Sequence, residues 1–218
     1  MKIKLLTIAC CATILSISTI ANSAEGPYVS GNLGLAIPSD SDIDSGLKGI
    51  GLTLESDEGL AFGAAIGQEF TGNIRLEAEI AYQENDLDKA KVSVLGLGSA
   101  DLEITGDTSS LALLLNGYYD FKNESAFTPF ICGGVGMAKV DVSGITVTVP
   151  GWWSGPVTTS DDDTVFAYQI GAGLGYAVNE KVSLDVKYRY FGTSDPEFEL
   201  ATAEYSSHNV YAGIRISF

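Results

Sequence analysis

Apolar and polar residues alternate with a period of two along most of the chain, the pattern of strands with one greasy and one wet face. Across residues 74–82, Ile74, Leu76, Ala78, Ile80 and Tyr82 share one face, while Arg75, Glu77, Glu79 and Ala81 share the other. Residues 182–190 repeat the scheme, with Val182, Leu184, Val186, Tyr188 and Tyr190 opposing Ser183, Asp185, Lys187 and Arg189. In the last stretch Val210, Ala212, Ile214, Ile216 and Phe218 oppose Asn209, Tyr211, Gly213, Arg215 and Ser217. The same reading predicts eight strands, at 28–37, 60–70, 74–82, 110–121, 127–139, 165–178, 182–190 and 206–218. They are close to the roughly 9 to 11 residues with which a tilted strand crosses a bilayer. Tight turns at 71–73, 122–126 and 179–181 alternate with long links at 38–59, 83–109, 140–164 and 191–205. That alternation predicts an all-β, antiparallel up-and-down transmembrane barrel with one plain and one elaborated end.

Parity alone does not choose the solvent, because a soluble sandwich or barrel would turn the same greasy faces inward. Two features favour lipid outside. The apolar faces often end in aromatics, namely Tyr82, Tyr119 with Phe121, Tyr176, Tyr188 with Tyr190, and Phe218, as interfacial girdles do. The opposite faces mix small residues with charge: Gly171, Gly173, Gly175 and Ala177 on the sixth strand, Gly134, Gly136 and Ala138 on the fifth. Such faces suit the narrow interior of eight strands, which side chains fill. Four inward cations, Arg75, Lys187, Arg189 and Arg215, are matched by four anions, Glu77, Glu79, Asp120 and Asp185. Buried charges persist when they are paired, and this set can pair.

The N-terminus reads differently. Lys2 and Lys4 precede an apolar run over 5–20 that ends in Ala21-Asn22-Ser23-Ala24, the layout of a secretory signal peptide cut after Ser23 or Ala24. The expected organisation is a signal peptide over 1–24 and an outer-membrane β-barrel over 25–218. A lipoprotein reading would use Cys10 or Cys11, but Thr7-Ile8-Ala9-Cys10 lacks the favoured leucine and leaves too short an apolar run for export. Only Cys132 then remains, so no disulfide within the chain is expected. No other stretch approaches the roughly 18 apolar residues of a membrane helix.

Charge narrows the partners. The 218 residues carry 28 acidic against 12 basic groups, a formal −16 that becomes −18 once Lys2 and Lys4 leave with the leader. A polyanion would be repelled, so nucleic acid is excluded. Much of the excess sits in the long links, with Asp40, Asp42, Asp44, Glu55, Asp57 and Glu58 in the first and Asp195, Glu197, Glu199 and Glu204 in the last. Acidic loops favour cations or basic partners.

Candidate chemistry is sparse. Gly171-Ala172-Gly173-Leu174-Gly175 lies within a strand, without the turn and helix start of a nucleotide fingerprint. His208, the single histidine, shares parity with Ser206 and Glu204, an order that could serve as base, nucleophile and orienting acid; a rim histidine making ordinary polar contacts is the simpler reading. Asp40-Ser41-Asp42-Ile43-Asp44-Ser45-Gly46 starts like a calcium loop but has Ser45 at the sixth position and Gly51 at the twelfth, so a solvated acidic loop is the plainer account. Asp161-Asp162-Asp163 reads likewise. Trp152 and Trp153, within Pro150 to Pro156, could anchor a partner or the membrane interface, or pack on other loops. No catalytic, cofactor-binding or metal residue is assigned, no cofactor is expected, and the chain does not read as an enzyme.

Several segments together resemble the outer-membrane β-barrel domain family, of the small OmpA/OmpX-like kind. They are the Gly26-Pro27-Tyr28-Val29-Ser30-Gly31-Asn32-Leu33-Gly34 opening, Arg75-Leu76-Glu77-Ala78-Glu79, Asn116-Gly117-Tyr118-Tyr119-Asp120-Phe121, Tyr168-Gln169-Ile170-Gly171-Ala172-Gly173-Leu174-Gly175, and Gly213-Ile214-Arg215-Ile216-Ser217-Phe218. The resemblance implies an eight-stranded barrel in a Gram-negative outer membrane, with both termini periplasmic and the long loops outside. It also implies that Phe218 belongs to the signal read by the barrel-assembly machinery. The partners expected are outer-membrane lipids, that machinery during biogenesis, and an extracellular ligand or protein at the loops, with the barrel itself a monomer. The function expected is a structural or surface-interacting one. A small porin-like channel is the alternative, followed by a lipid-modifying barrel enzyme.

Overall fold

The computed structural model describes residues 24–39, 41–44, 50–94, 98–149, 153–156, 160–194, 202–203 and 205–218. Residues 1–23 of the expected leader, with Cys10 and Cys11, lie outside them, as do Asp40, Gly46, Trp152, Asp195, Glu197, Glu199 and Glu204, whereas Ala24, its expected last residue, opens the first strand. The strands are β1 (Ala24–Pro38), β2 (Ser41–Asp44), β3 (Ile50–Ser56), β4 (Gly59–Phe70), β5 (Ile74–Val94), β6 (Gly98–Asp120), β7 (Phe127–Val149), β8 (Trp153–Pro156), β9 (Ser160–Ala177), β10 (Val182–Thr193), β11 (Thr202–Ala203) and β12 (Ser206–Ser217).

Eight of them close a ring in the order β1, β4, β5, β6, β7, β9, β10, β12, every neighbouring pair antiparallel. The seam joins the first strand to the last, from Tyr28 opposite Ser217 to Pro38 opposite Ser207, and Phe218 N donates to Pro27 O at 3.0 Å. The eight expected strands are therefore the eight barrel strands, and closure leaves no unpaired edge in the membrane span.

The plain end is held by local chemistry. Between β4 and β5, Gly72 and Asn73 both adopt positive φ, 95° and 74°, which a two-strand connection needs and which Gly and Asn tolerate best. Between β6 and β7, Asn123 donates to Phe121 O and Phe127 O and accepts from Ser125 N at 2.8 Å. Between β9 and β10, Asn179 Oδ1 accepts from the N–H groups of Lys181 and Val182. These are turns in which a side-chain amide replaces backbone partners.

The other end departs from expectation. The links at 83–109 and 140–164, expected as loops, are mostly strand: the β5–β6 ladder continues from Ile74 opposite Tyr119 up to Val94 opposite Gly98, with one register shift between Leu87 and Lys89. β7 runs on to Val149 against β6, β8 and β9. Between 38 and 59, β2 and β3 extend the sheet beside β5. Above the membrane both faces of a hairpin meet water, so side-chain alternation fades while backbone pairing continues. Measured from Tyr82, β5 runs roughly 40 Å further along its own axis.

Candidate functional site

The side-chain orientation follows the sequence parity. Leu33, Phe62, Leu76, Ile80, Leu115, Ile131, Ile170, Val186 and Ile214 all point outward and are exposed, whereas the opposite parity is buried. A belt of large exposed hydrocarbon around a polar interior is stable only in lipid. All eight predicted charges are inside, and the interior forms three storeys.

At the turn end, Arg75 clasps Asp120 in a two-pronged pair, Nε to Oδ2 at 2.7 Å and Nη2 to Oδ1 at 2.8 Å, with its guanidinium 4.3 Å from the Tyr118 ring centroid. Beside it Arg215 bonds Glu69 at 2.6 Å and Asp185 at 3.3 Å. Glu69 was missed in the sequence because Gln68 next to it is polar too, which hides the parity of that strand end.

The middle storey is organised by two carboxylates. Glu79 receives Asn116 Nδ2 at 2.6 Å, Gln169 Nε2 at 3.1 Å and Arg189 Nη1 at 3.3 Å. Arg189 also donates to Gln169 Oε1 at 2.8 Å and to the Tyr211 hydroxyl. Glu77 accepts hydrogen bonds from the hydroxyls of Tyr28 at 3.0 Å and Tyr118 at 2.9 Å, and Lys187 Nζ in turn donates to Tyr118 at 3.4 Å. The Tyr118 hydroxyl thus relays between an ammonium and a carboxylate. Its removal in Tyr118→Phe leaves polar groups short of a partner, with an expected loss of about 1–3 kcal/mol, read by urea unfolding of the vesicle-inserted barrel.

Towards the outer end a hydrocarbon cluster packs among the buried polar side chains of Gln83, Asn85, Ser110, Ser207 and Asn209. Ala112, Leu114, Ala138, Val140, Val165, Phe191 and Tyr205 form one buried cluster. Tyr205 enters it from just before β12 and accepts Gln83 Nε2 at its hydroxyl, 2.8 Å, while Thr193 N donates to its carbonyl at 3.0 Å. Glu79, Arg189, Phe191 and Tyr211 are each 1% exposed, so water reaches them from neither mouth. The β9 glycines explain how so much fits. Gly173 leaves room for Phe130, whose ring atoms would lie 2.4 Å from a Cβ there, and Gly175 for Asp185. They are spacers for lumen side chains, not a phosphate loop.

The other candidates separate. His208 points outward, its Nδ1 2.6 Å from the Tyr188 hydroxyl; Ser206 is buried, and no bond joins it to His208 among the described hydrogen bonds. Asp162 shares Lys139 with Asp141 on the outward face just above the belt, and those hydrogen bonds, Asp141 first, hold the lysine above its ordinary range. Across β5 and β6, Asp86 stands directly opposite Asp107. Lost solvent and a hydrogen bond with Asp86 raise the Asp107 carboxyl. Among the described residues no group of three or more His, Cys, Asp or Glu is placed to hold a metal ion. Trp153 lies in β8, paired with Val149.

Comparison with known proteins agrees with this architecture. The family model described as the outer membrane protein beta-barrel domain matches residues 7–218. Outer membrane protein PagN of Salmonella typhimurium is 26% identical over 219 residues, covering 92% of this chain and 84% of its own. Putative adhesin RC1281 of Rickettsia conorii is 27% identical, covering 79% and 73%. The crystal structure of neisserial surface protein A is similar with a TM-score of 0.55 at 17% identity, covering 90% of this chain and all of that one.

Proposed function

The chain belongs to the outer membrane protein β-barrel domain family, and on that premise we propose that it is a surface adhesin whose working part is the sheet it raises outside the cell. The observation that carries the reading is the contrast between its two ends. Turns of a few residues close one side, while β5, β6 and β7 continue far past the belt at the other, at 21, 23 and 23 residues. A stiff platform of paired strands presents a surface at fixed distance from the membrane, which flexible loops would not do. The name of the rickettsial relative, a putative adhesin, supports the same role.

The described outer residues give the surface its sign. Asp57, Glu58, Glu84, Asp86, Asp107 and Asp162 are exposed there and Asp141 is half-buried, against the basic Lys89 and Lys91 in the same stretch of β5 and Lys139 in β7. A basic protein surface is the partner such a field attracts, with a salt-dependent on-rate. Export by a leader over 1–24 and insertion as a monomer belong to the same reading. The filled lumen opposes the porin-like alternative, and the separation of Ser206 from His208 opposes the lipid-modifying one.

Displayed on a non-adherent Gram-negative host, the protein should raise attachment to epithelial cells several-fold, and Glu84→Gln with Asp86→Asn and Asp107→Asn should reduce that gain. Surface-exposed, heat-modifiable barrel that confers no attachment would overturn the proposal. In planar bilayers the purified protein should conduct at the level of the bare membrane.

A further inference from the structure

A shallow groove of about 840 Å³ crosses the lipid face between β6, β7, β9 and β10. Gly117, Gly133 and Ala172 form its floor, and Tyr119, Ile131, Ile170 and Tyr188 rise beside it. Gly117 and Gly133 are direct cross-strand partners. Their smallness has no internal cause. A Cβ on Gly133 would meet nothing closer than Gln169 O at 3.7 Å, and one on Gly117 nothing closer than Leu76 at 3.9 Å. The lumen-facing Gly67, Gly134 and Gly136 differ, since a Cβ on each would fall within about 2 Å of Tyr28, Asn116 or Leu113. The depression therefore shapes the outside of the barrel rather than its core, and it lies among belt side chains as exposed as Ile170, at 65%. Hydrocarbon is the only material available at that depth.

A second observation fixes what accompanies the hydrocarbon. Tyr188, a wall of the groove, places its hydroxyl 2.6 Å from His208 Nδ1, with the two rings stacked at 6.0 Å and Tyr190 5.3 Å from the imidazole. Where the Tyr188 hydroxyl donates to Nδ1, the neutral imidazole carries its proton on Nε2. That edge has no partner among the described hydrogen bonds and sits at the outer end of the belt, where headgroup phosphates lie. We infer that the groove holds an acyl chain of a phosphate-bearing outer-leaflet lipid whose headgroup is bound by His208. A second copy of the barrel would offer only another apolar belt and no anion for the imidazole.

Native mass spectrometry of the full protein, released from detergent after addition of dimyristoylphosphatidylglycerol, tests this. The wild type should retain one lipid, and dimyristoylglycerol, which lacks the phosphate, should be held more weakly. Gly133→Leu fills the floor and should weaken retention about tenfold; Gly117→Val fills it from the neighbouring strand if the first variant fails the heat-modifiability check. His208→Ala should bring phosphatidylglycerol down to the diacylglycerol level, and Ala64→Leu, on the far side of the barrel, should change nothing. Equal retention by all variants, or loss of a dimer rather than of lipid in Gly133→Leu, would overturn the inference.

Discussion

Replacing Arg189 by Leu should destabilise the inserted barrel by about 3–5 kcal/mol, the penalty expected when one partner of a buried ion pair is removed and the other is left without its counter-charge. Glu79 would keep Asn116 and Gln169 as donors but lose the guanidinium, while Gln169 Oε1 and the Tyr211 hydroxyl would lose theirs. Arg189→Lys should fall between, because an ammonium restores the charge without the planar fork that reaches both Gln169 and Tyr211. The double change Arg189→Met with Glu79→Leu should recover much of the loss, since a well-packed apolar pair carries no desolvation penalty. Urea titration of vesicle-folded protein, followed by gel mobility, gives the four free energies. A single variant within about 1 kcal/mol of wild type would show that the middle storey is more hydrated than its 1% exposures indicate.

The second large effect belongs to the opposite parity. Val186 stands halfway along the membrane-crossing part of β10 and is 58% exposed. Arginine there should cost about 2–4 kcal/mol, because the guanidinium would enter hydrocarbon near the midplane. Leucine at the same position should be close to neutral. On a soluble protein the expectation reverses, as an exposed valine accepts arginine freely. Val186→Arg is thus the sharpest test of which solvent surrounds the barrel, and a stability unchanged in vesicles would contradict the membrane placement.

Much of this was legible in the residues themselves. Wherever a strand separates lipid from a packed lumen, as at 74–82 or 182–190, the two faces demand opposite chemistry and the alternation is written plainly. Glu69 escaped because the strand end around it is polar on both faces. The long sheet beyond Tyr82 escaped for a related reason: water on both sides imposes no alternation, so residues 83–109 resemble loop although their backbones pair. The tyrosine hydroxyl between Lys187 and Glu77 joins residues far apart in the chain, which only the closed ring brings together. Likewise the partnership of Tyr188 with His208 depends on the pairing of β10 with β12.

The seam between β1 and β12 bears on biogenesis. Each of the other contacts in the ring joins strands that follow one another along the barrel, so hairpins can zip up as soon as both arms exist. The joint at Tyr28 and Ser217 spans almost the entire polypeptide, and such long-range closures are intrinsically slow. Until it forms, two ladders of unpaired amides face outward, a state that hydrocarbon does not tolerate. An incomplete ring must therefore be sheltered from the bilayer, and the twelve residues of β12 act as the latch that ends that dependence.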